Sequence, residues 1–173
     1  MSSNEMKNQI HTIPPVWNEH SRILILGSFP SVKSRETSFF YGHPQNRFWR
    51  LLAELLHEPI PVTVEDKKRL LLENNIALWD VVASCEVMGS SDSSIKNVAP
   101  NDVSEMLKKS NIKTVFLNGA TAAKLYDKYM FPSSGIKGVP LPSTSPANAS
   151  WTFERLLEAW RVIMNEYNGE SYV

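Results

Sequence analysis

The sequence predicts an α/β domain of three layers, with helices on both faces of a central parallel sheet of about four strands. Three observations carry this. Apolar runs of strand length recur at 22–26, 76–82, 113–117 and 138–141. Segments with helical spacing separate them, and Gly, Pro and Ser clusters mark the junctions. A length of 173 residues, 42% hydrophobic and 21% charged, suits one globular domain with a full core. No repeat, low-complexity tract or linker divides the chain, so 1–173 reads as one domain with 1–20 as a lead-in.

In that lead-in, Pro14-Pro15 interrupts regular structure and Trp17 is expected to tuck against the domain. Arg22-Ile-Leu-Ile-Leu26, ended by Gly27, reads as a buried parallel strand. A long loop follows to Gln45, and long structured loops in compact domains are usually functional. Phe48, Leu51, Leu52, Leu55 and Leu56 then repeat at i, i+3, i+4, i+7 and i+8. That is an amphipathic helix, with Asn46 placed as its N-cap. Pro59 and Pro61 stop it, and Thr63-x-x-Asp66 opens a second helix to about Asn74.

Ile76 to Val82 is the second strand, and the Ser/Gly-rich stretch from Ser84 to Ala99 reads as a loop. A short helix over Asn101 to Ser110 uses Val103, Met106 and Leu107. Lys113 to Leu117 is the third strand, and Gly119 to Met130 the next helix. Gly138 to Leu141 is the fourth strand, and Pro140 puts it at a sheet edge. The last helix packs with Phe153, Leu156, Leu157 and Trp160.

The charge balance is neutral, 18 basic against 18 acidic residues, which argues against a polyanion-binding surface over the whole molecule. Locally the balance shifts. From Arg22 to Arg50 five basic residues (Arg22, Lys33, Arg35, Arg47, Arg50) face one acid, Glu36, and from Phe131 to Ser150 the only charge is Lys137. Cys85 is alone, so an internal disulfide is excluded and a reducing cytoplasm is expected. The polar start has no apolar signal core, and no run approaches the ~20 residues of a bilayer span. Four His and one Cys without paired ligand spacing point to no metal and no cofactor.

Two loops concentrate the residue types that carry chemistry. The first holds Gly27-Ser28-Phe29-Pro30-Ser31 and then His43-Pro44-Gln45-Asn46-Arg47-Phe48-Trp49; the second is Leu141-Pro142-Ser143-Thr144-Ser145-Pro146-Ala147-Asn148-Ala149. Both follow a strand, which in an open parallel sheet puts them at the carboxyl edge, where ligands bind. Small residues, hydroxyls and aromatics dominate them. That composition suits gripping a phosphate backbone and stacking on a base.

In this order, the motifs resemble the uracil-DNA glycosylase superfamily over roughly Ile23 to Trp160, and more narrowly its hypoxanthine-DNA (deoxyinosine) glycosylase branch. The 27–31 run sits where the superfamily has its first motif. The 43–49 run resembles the His-Pro-x-Asn-x-Phe-Trp pattern of the mismatch-specific and hypoxanthine branches, and 141–149 resembles the second motif. The resemblance implies a uracil-DNA glycosylase-like fold and a monofunctional enzyme that hydrolyses the N-glycosidic bond of a deaminated base in DNA. Hypoxanthine is the expected base and uracil the second candidate. The departures are plain: Ser28-Phe29-Pro30 offers no first-motif Asn or Asp, and Leu141 stands where many relatives carry His.

Such an enzyme must extrude the nucleotide, stack and read its base, grip phosphates and aim a water at C1′. Oxocarbenium-like charge on the sugar can be stabilised by DNA phosphates, so a carboxylate pair is not obligatory. The resemblance assigns the water to Asn46, for which helix capping is the plain alternative. Phe29 leads the stacking candidates, followed by Tyr41, with Phe39 and Phe40 equally able to be core. Asp80 and Asn118, ending strands two and three, are base-edge candidates; capping a loop is the other reading of Asp80.

Ser28, Ser31, Ser143, Thr144, Ser145 and Lys137 are the expected DNA contacts, the second-loop hydroxyls being helped by a following helix N-terminus. A Ser/Thr turn capped by Asn148 or Ser150 reads the same residues as structure. Lys33, Arg35 and Arg47 are further phosphate candidates, His43 reads as structural, and the Gly89 to Ser94 loop is a further backbone contact. The expected partner is DNA, with no membrane, and the expected state a monomer in the cytoplasm. A non-catalytic nucleic-acid- or nucleotide-binding module on the same scaffold is the alternative. A serine hydrolase using Ser28 or Ser31 ranks last, lacking the Gly-x-Ser-x-Gly elbow and a His–Asp pair.

Overall fold

The central sheet is assembled from the apolar runs in the order β3-β2-β6-β7, all parallel. β2 is Ile23–Gly27, β3 is Ile76–Asp80, β6 is Thr114–Asn118 and β7 is Gly138–Leu141. The computed structural model describes residues 7–87 and 95–167. β2 alternates its side chains between two cores: Ile23 and Ile25 face one, Leu24 and Leu26 the other. α2 (Phe48–Leu56), α3 (Val64–Glu73) and α7 (Phe153–Trp160) cover the first face with Phe48, Leu51, Leu52, Leu71, Leu156 and Trp160. α4 (Ser104–Lys109) and α5 (Ala120–Leu125), with the π-helical turn Tyr126–Met130, cover the second with Met106, Ala122, Tyr126 and Met130. Burying a side chain of this size contributes ~1.5–3 kcal/mol. The architecture is three-layer α/β/α.

Thr63 and Asp66 form the expected capping box on α3, and the Thr63 backbone N–H is the main cause that holds the Asp66 carboxyl below its usual range. Pro140 does lie on an edge strand. The other edge, β3, is covered by Val16, which exchanges both backbone hydrogen bonds with Leu78 at 3.0 and 2.9 Å. Trp17 is half-buried and packs against the second core, as expected.

Three expectations need correction. The 84–99 stretch is not simply a loop: β4 (Val82–Val87) and β5 (Lys96–Pro100) pair antiparallel, with β1 (Lys7–Ile10) on the far side of β4. The lead-in is therefore partly a strand. The 27–45 loop contains a short helix, α1 (Val32–Thr37), capped by the Ser31 hydroxyl, which accepts from Ser34 N–H at 3.1 Å. Finally, the N-cap of α2 is Arg47, not Asn46. The Gly89 to Ser94 loop lies outside the described residues.

Candidate active site

The carboxyl ends of β2, β3, β6 and β7 meet around one cavity of about 320 Å³, within the ~300–1,000 Å³ range of small-molecule sites. β2 is flanked by β3 on one side and β6 on the other, so chain order reverses there, at the switch point where open α/β sheets bind ligands. Ser28, Phe29, Ser31, Tyr41, Asn46, Asp80, Asn118, Ser143, Thr144 and Ser145 all line it. Lys137 does not: it precedes β7 and so lies at the opposite, amino end of the sheet.

A directional chain of hydrogen bonds joins the two motif loops. Thr144 N–H donates to Asn118 Oδ1 at 3.0 Å, which fixes how the Asn118 amide is turned. Asn118 Nδ2 then donates to Thr144 Oγ1 at 3.0 Å, so the Thr144 hydroxyl proton goes on to Asn46 Oδ1 at 2.9 Å. The same Oδ1 accepts Phe48 N–H at 3.0 Å. With its oxygen engaged twice, the group that half-buried Asn46 has left for the cavity is the amide NH₂, a donor. Thr144 is fully buried and its N–H and hydroxyl are both spent in this chain. It therefore positions Asn46 rather than contacting a phosphate, and Asn118 is committed behind it.

Arg47 has a different task from the expected phosphate contact. Its guanidinium donates to the carbonyls of Thr144 (3.4 Å), Ser145 (2.8 Å), Asn148 (3.1 Å) and Trp151, and its backbone N–H donates to Thr144 O at 3.1 Å. One side chain thus fastens the second loop to the start of α2. Trp160 Nε1 adds a bond to Pro142 O at 2.9 Å from behind. Gly119, with φ of +103°, lets the backbone pass close; a Cβ there would come 3.2 Å from Ser143 Cβ.

The second loop is itself a run of hydroxyl-closed turns. Ser145 N–H donates to Ser143 Oγ at 3.1 Å and Ala147 N–H to Ser145 Oγ at 3.2 Å. Each serine still has its own hydroxyl proton to offer. Asn148 ties its amide to Ser143 O at 3.0 Å rather than capping a helix; the cap of α7 is Thr152. Since α7 starts only at Phe153, its N-terminus is not the anion site expected next to the serines.

On the other wall Phe29 is half-buried, with the His11 ring edge-on at 6.0 Å and the Arg35 guanidinium 5.4 Å above it. Arg35 also donates to Gln9 at 2.8 Å. Phe39 and Phe40 are 4% and 1% exposed and belong to the core, which removes both from the stacking candidates, although Phe40 forms part of the cavity floor. Tyr41 adopts a left-handed φ of 54°, costly for a bulky residue (~1 kcal/mol or more), and lays its ring 4.3 Å from Phe48. Its hydroxyl and Asp80 Oδ1 crowd Gly27, where a Cβ would sit 2.9 and 2.4 Å from them, so only glycine fits.

His43 is exposed and closes a local turn by accepting Gln45 N–H, a structural role. The side chain of Lys33 lies outside the described residues. His11 is the residue that sequence reasoning missed: its Nε2 meets Asp80 Oδ2 at 2.8 Å across 69 positions of sequence. Nothing in the lead-in signals this. Among the described residues no group of His, Cys, Asp and Glu could hold a metal ion.

The family model described as the uracil DNA glycosylase superfamily matches residues 14–163. The chain belongs to that superfamily. A curated relative named hypoxanthine DNA glycosylase, from Methanosarcina acetivorans, is 36% identical over 154 residues, 87% of this chain and 94% of that protein. Another of the same name, from Methanosarcina barkeri, is 38% identical over 108 residues, 61% and 68% of the two chains. The glycosylase fold is matched in a solution NMR structure from Methanosarcina acetivorans, described as a candidate uracil DNA glycosylase. It superposes with a TM-score of 0.78 at 32% identity, over 91% of this chain and 98% of that one. The similarity is thus to the hypoxanthine branch, the one the 43–49 motif resembles.

Proposed function

We propose that this protein is a monofunctional DNA glycosylase that releases hypoxanthine, and uracil as a second substrate, from DNA and leaves an abasic site. The observation that carries the reading is the convergence of Asn46 and the 143–145 turn on one cavity, in a chain of this superfamily. The reaction is a hydrolysis. The C1′–N bond breaks with its electron pair leaving on the base, a water oxygen bonds to C1′, and the proton that the water loses ends, through solvent, on the departing base, which is released neutral.

Asn46 holds the water. Its Nδ2 donates to the water oxygen, occupying one lone pair and leaving the other for C1′. Phe29, braced by His11 and Arg35, stacks the extruded base; such contacts are worth ~1–3 kcal/mol per base, comparable with the cost of unstacking. Tyr41 walls the base and Asp80 reads its edge. Ser28, Ser143 and Ser145 are suited to donate hydroxyl protons to flanking phosphates. Ser31 is mainly a helix cap and Thr144 mainly a positioning group. No lysine is among the described residues that line the cavity, and none stands in the 27–31, 43–49 or 141–149 motifs, which supports base release without Schiff-base strand cleavage. Action as a monomer is part of this reading. No helix among the described residues is long and apolar enough to cross a membrane, which fits work on DNA in the cytoplasm.

An oligonucleotide carrying one deoxyinosine, incubated with the protein and then heated in alkali, tests the reading. Cleavage is expected at that site after alkali and not before it, with a weaker reaction at deoxyuridine. No cleavage on either substrate, single- or double-stranded, together with salt-sensitive binding, would instead establish a non-catalytic binding module.

A further inference from the structure

We infer, on the basis of that glycosylase reading, that His11 is a positioning residue which fixes the Asp80 carboxylate as an acceptor-only edge of the cavity, selecting bases that carry a ring N–H. The hydrogen bonds around the imidazole have a direction. Ile13 N–H donates to His11 Nδ1 at 3.2 Å, so Nδ1 carries a lone pair and the ring proton sits on Nε2. Nε2–H therefore donates to Asp80 Oδ2 at 2.8 Å. The ring is held on several sides, with Phe29, Phe40 and Trp79 at centroid distances of 6.0, 6.1 and 6.4 Å. The backbone is pinned as well, by His11 N–H to Ala83 O at 2.6 Å. The His11 and Asp80 side chains are 1% and 5% exposed.

That leaves Asp80 Oδ1. It lies beside Gly27 and the Tyr41 hydroxyl, on a residue that lines the cavity, and accepts no hydrogen bond from any described residue. A carboxylate oxygen that faces the cavity with an open lone pair needs a donor once a bound base shuts out water, and the substrate base is the group that enters this space.

The chemistry of deamination gives such an edge its meaning. Adenine carries a lone pair at N1, and its deaminated product hypoxanthine carries N1–H. Cytosine carries a lone pair at N3, and uracil carries N3–H. A fixed acceptor rewards both products and sets its own lone pair against the ring nitrogen of both parent bases. His11 makes the choice one-way, because its Nε2–H holds Oδ2 and keeps Oδ1 turned to the base.

The test is single-turnover excision by the full chain from duplexes carrying deoxyinosine or 1-methyldeoxyinosine. The methylated base keeps the C6 carbonyl but has no ring N–H. His11→Phe keeps an aromatic ring in place and deletes the donor. The hypoxanthine to 1-methylhypoxanthine rate ratio is expected to fall about ten- to hundredfold, the scale of one charge-assisted hydrogen bond. His11→Gln, which restores an N–H near the same place, recovers most of it. Asp80→Asn is close in shape, so it carries the test should His11→Phe not fold. There Nε2–H holds the amide oxygen and turns NH₂ to the base, and the ratio collapses. Folded His11→Phe and Asp80→Asn proteins that both keep the ratio within about twofold of wild type would overturn the inference while leaving the glycosylase reading intact. A wild-type chain that frees no hypoxanthine overturns that reading and the inference with it.

Discussion

Asn46→Ala is expected to slow hypoxanthine release by about 10²–10³-fold, the usual loss when one preorganised polar group at a reacting centre is removed. The geometry separates this from a folding defect. Asn46 Oδ1 serves the protein, accepting from Thr144 Oγ1 and Phe48 N–H, while its NH₂ serves the cavity. Alanine removes both functions, leaving two buried donors short of an acceptor at about 1–3 kcal/mol each. Asn46→Asp keeps both acceptors, so its melting temperature stays near that of wild type. Any rate it loses belongs to the cavity-facing group alone, and a loss of about tenfold or more is expected. Single-turnover rates beside thermal melts of the two variants check this. A folded Asn46→Ala protein working at the wild-type rate removes Asn46 from the chemistry.

Arg47→Ala is expected to carry the largest stability loss in the molecule outside the core, ~3 kcal/mol or more, since hydrogen bonds to charged groups contribute ~1.5–3 kcal/mol each and here several act together. Four carbonyls, of Thr144, Ser145, Asn148 and Trp151, converge on one guanidinium. For a chain of this size that corresponds to a fall in melting temperature of roughly 6–12 °C. Arg47→Lys recovers little, because an ammonium on a flexible stem cannot reproduce a planar fork across four acceptors. Activity falls in both variants, since the loop that holds Thr144 against Asn46 comes loose. Differential scanning calorimetry reads the first effect and excision rate below the melt reads the second. If Arg47 instead gripped a phosphate, Arg47→Ala would weaken DNA binding and leave the melting temperature unchanged.

The parts of the fold legible in the sequence are those whose side chains are buried with a period. Ile23 to Leu26 and Val115 to Leu117 are nearly inaccessible, and α2 buries Phe48, Leu51, Leu52 and Leu55 on one stripe. The antiparallel sheet was hidden because only its middle strand, β4, buries core residues (Val82 and Cys85), while its outer strands are held mainly by backbone pairing. β5 is Lys96-Asn-Val-Ala-Pro100 with four of its five positions exposed, and β1 is Lys7-Asn-Gln-Ile10, whose Ile10 is 66% exposed. β4 leaves β3 with only Val81 between, so no turn residue announces a new strand.

The site follows the same logic. The two motif loops were legible because strand ends and residue types mark them. The division of labour within them was not, because it depends on which atoms pair: Thr144 and Asn118 turn inward, Arg47 clamps, Ser31 caps. His11 was out of reach altogether, since its pairing with Asp80 arises only when β1 docks on β4.

One structure tests the central claim most directly: the complex of this protein with a duplex carrying 2′-fluorinated deoxyinosine, in which the glycosidic bond resists cleavage. The nucleotide is expected to be flipped from the helix, its hypoxanthine lying on Phe29 with N1 within hydrogen-bond reach of Asp80 Oδ1. A water is expected between Asn46 Nδ2 and C1′. A complex with the deoxyinosine still stacked in the duplex, or with the base bound anywhere other than this cavity, would contradict it.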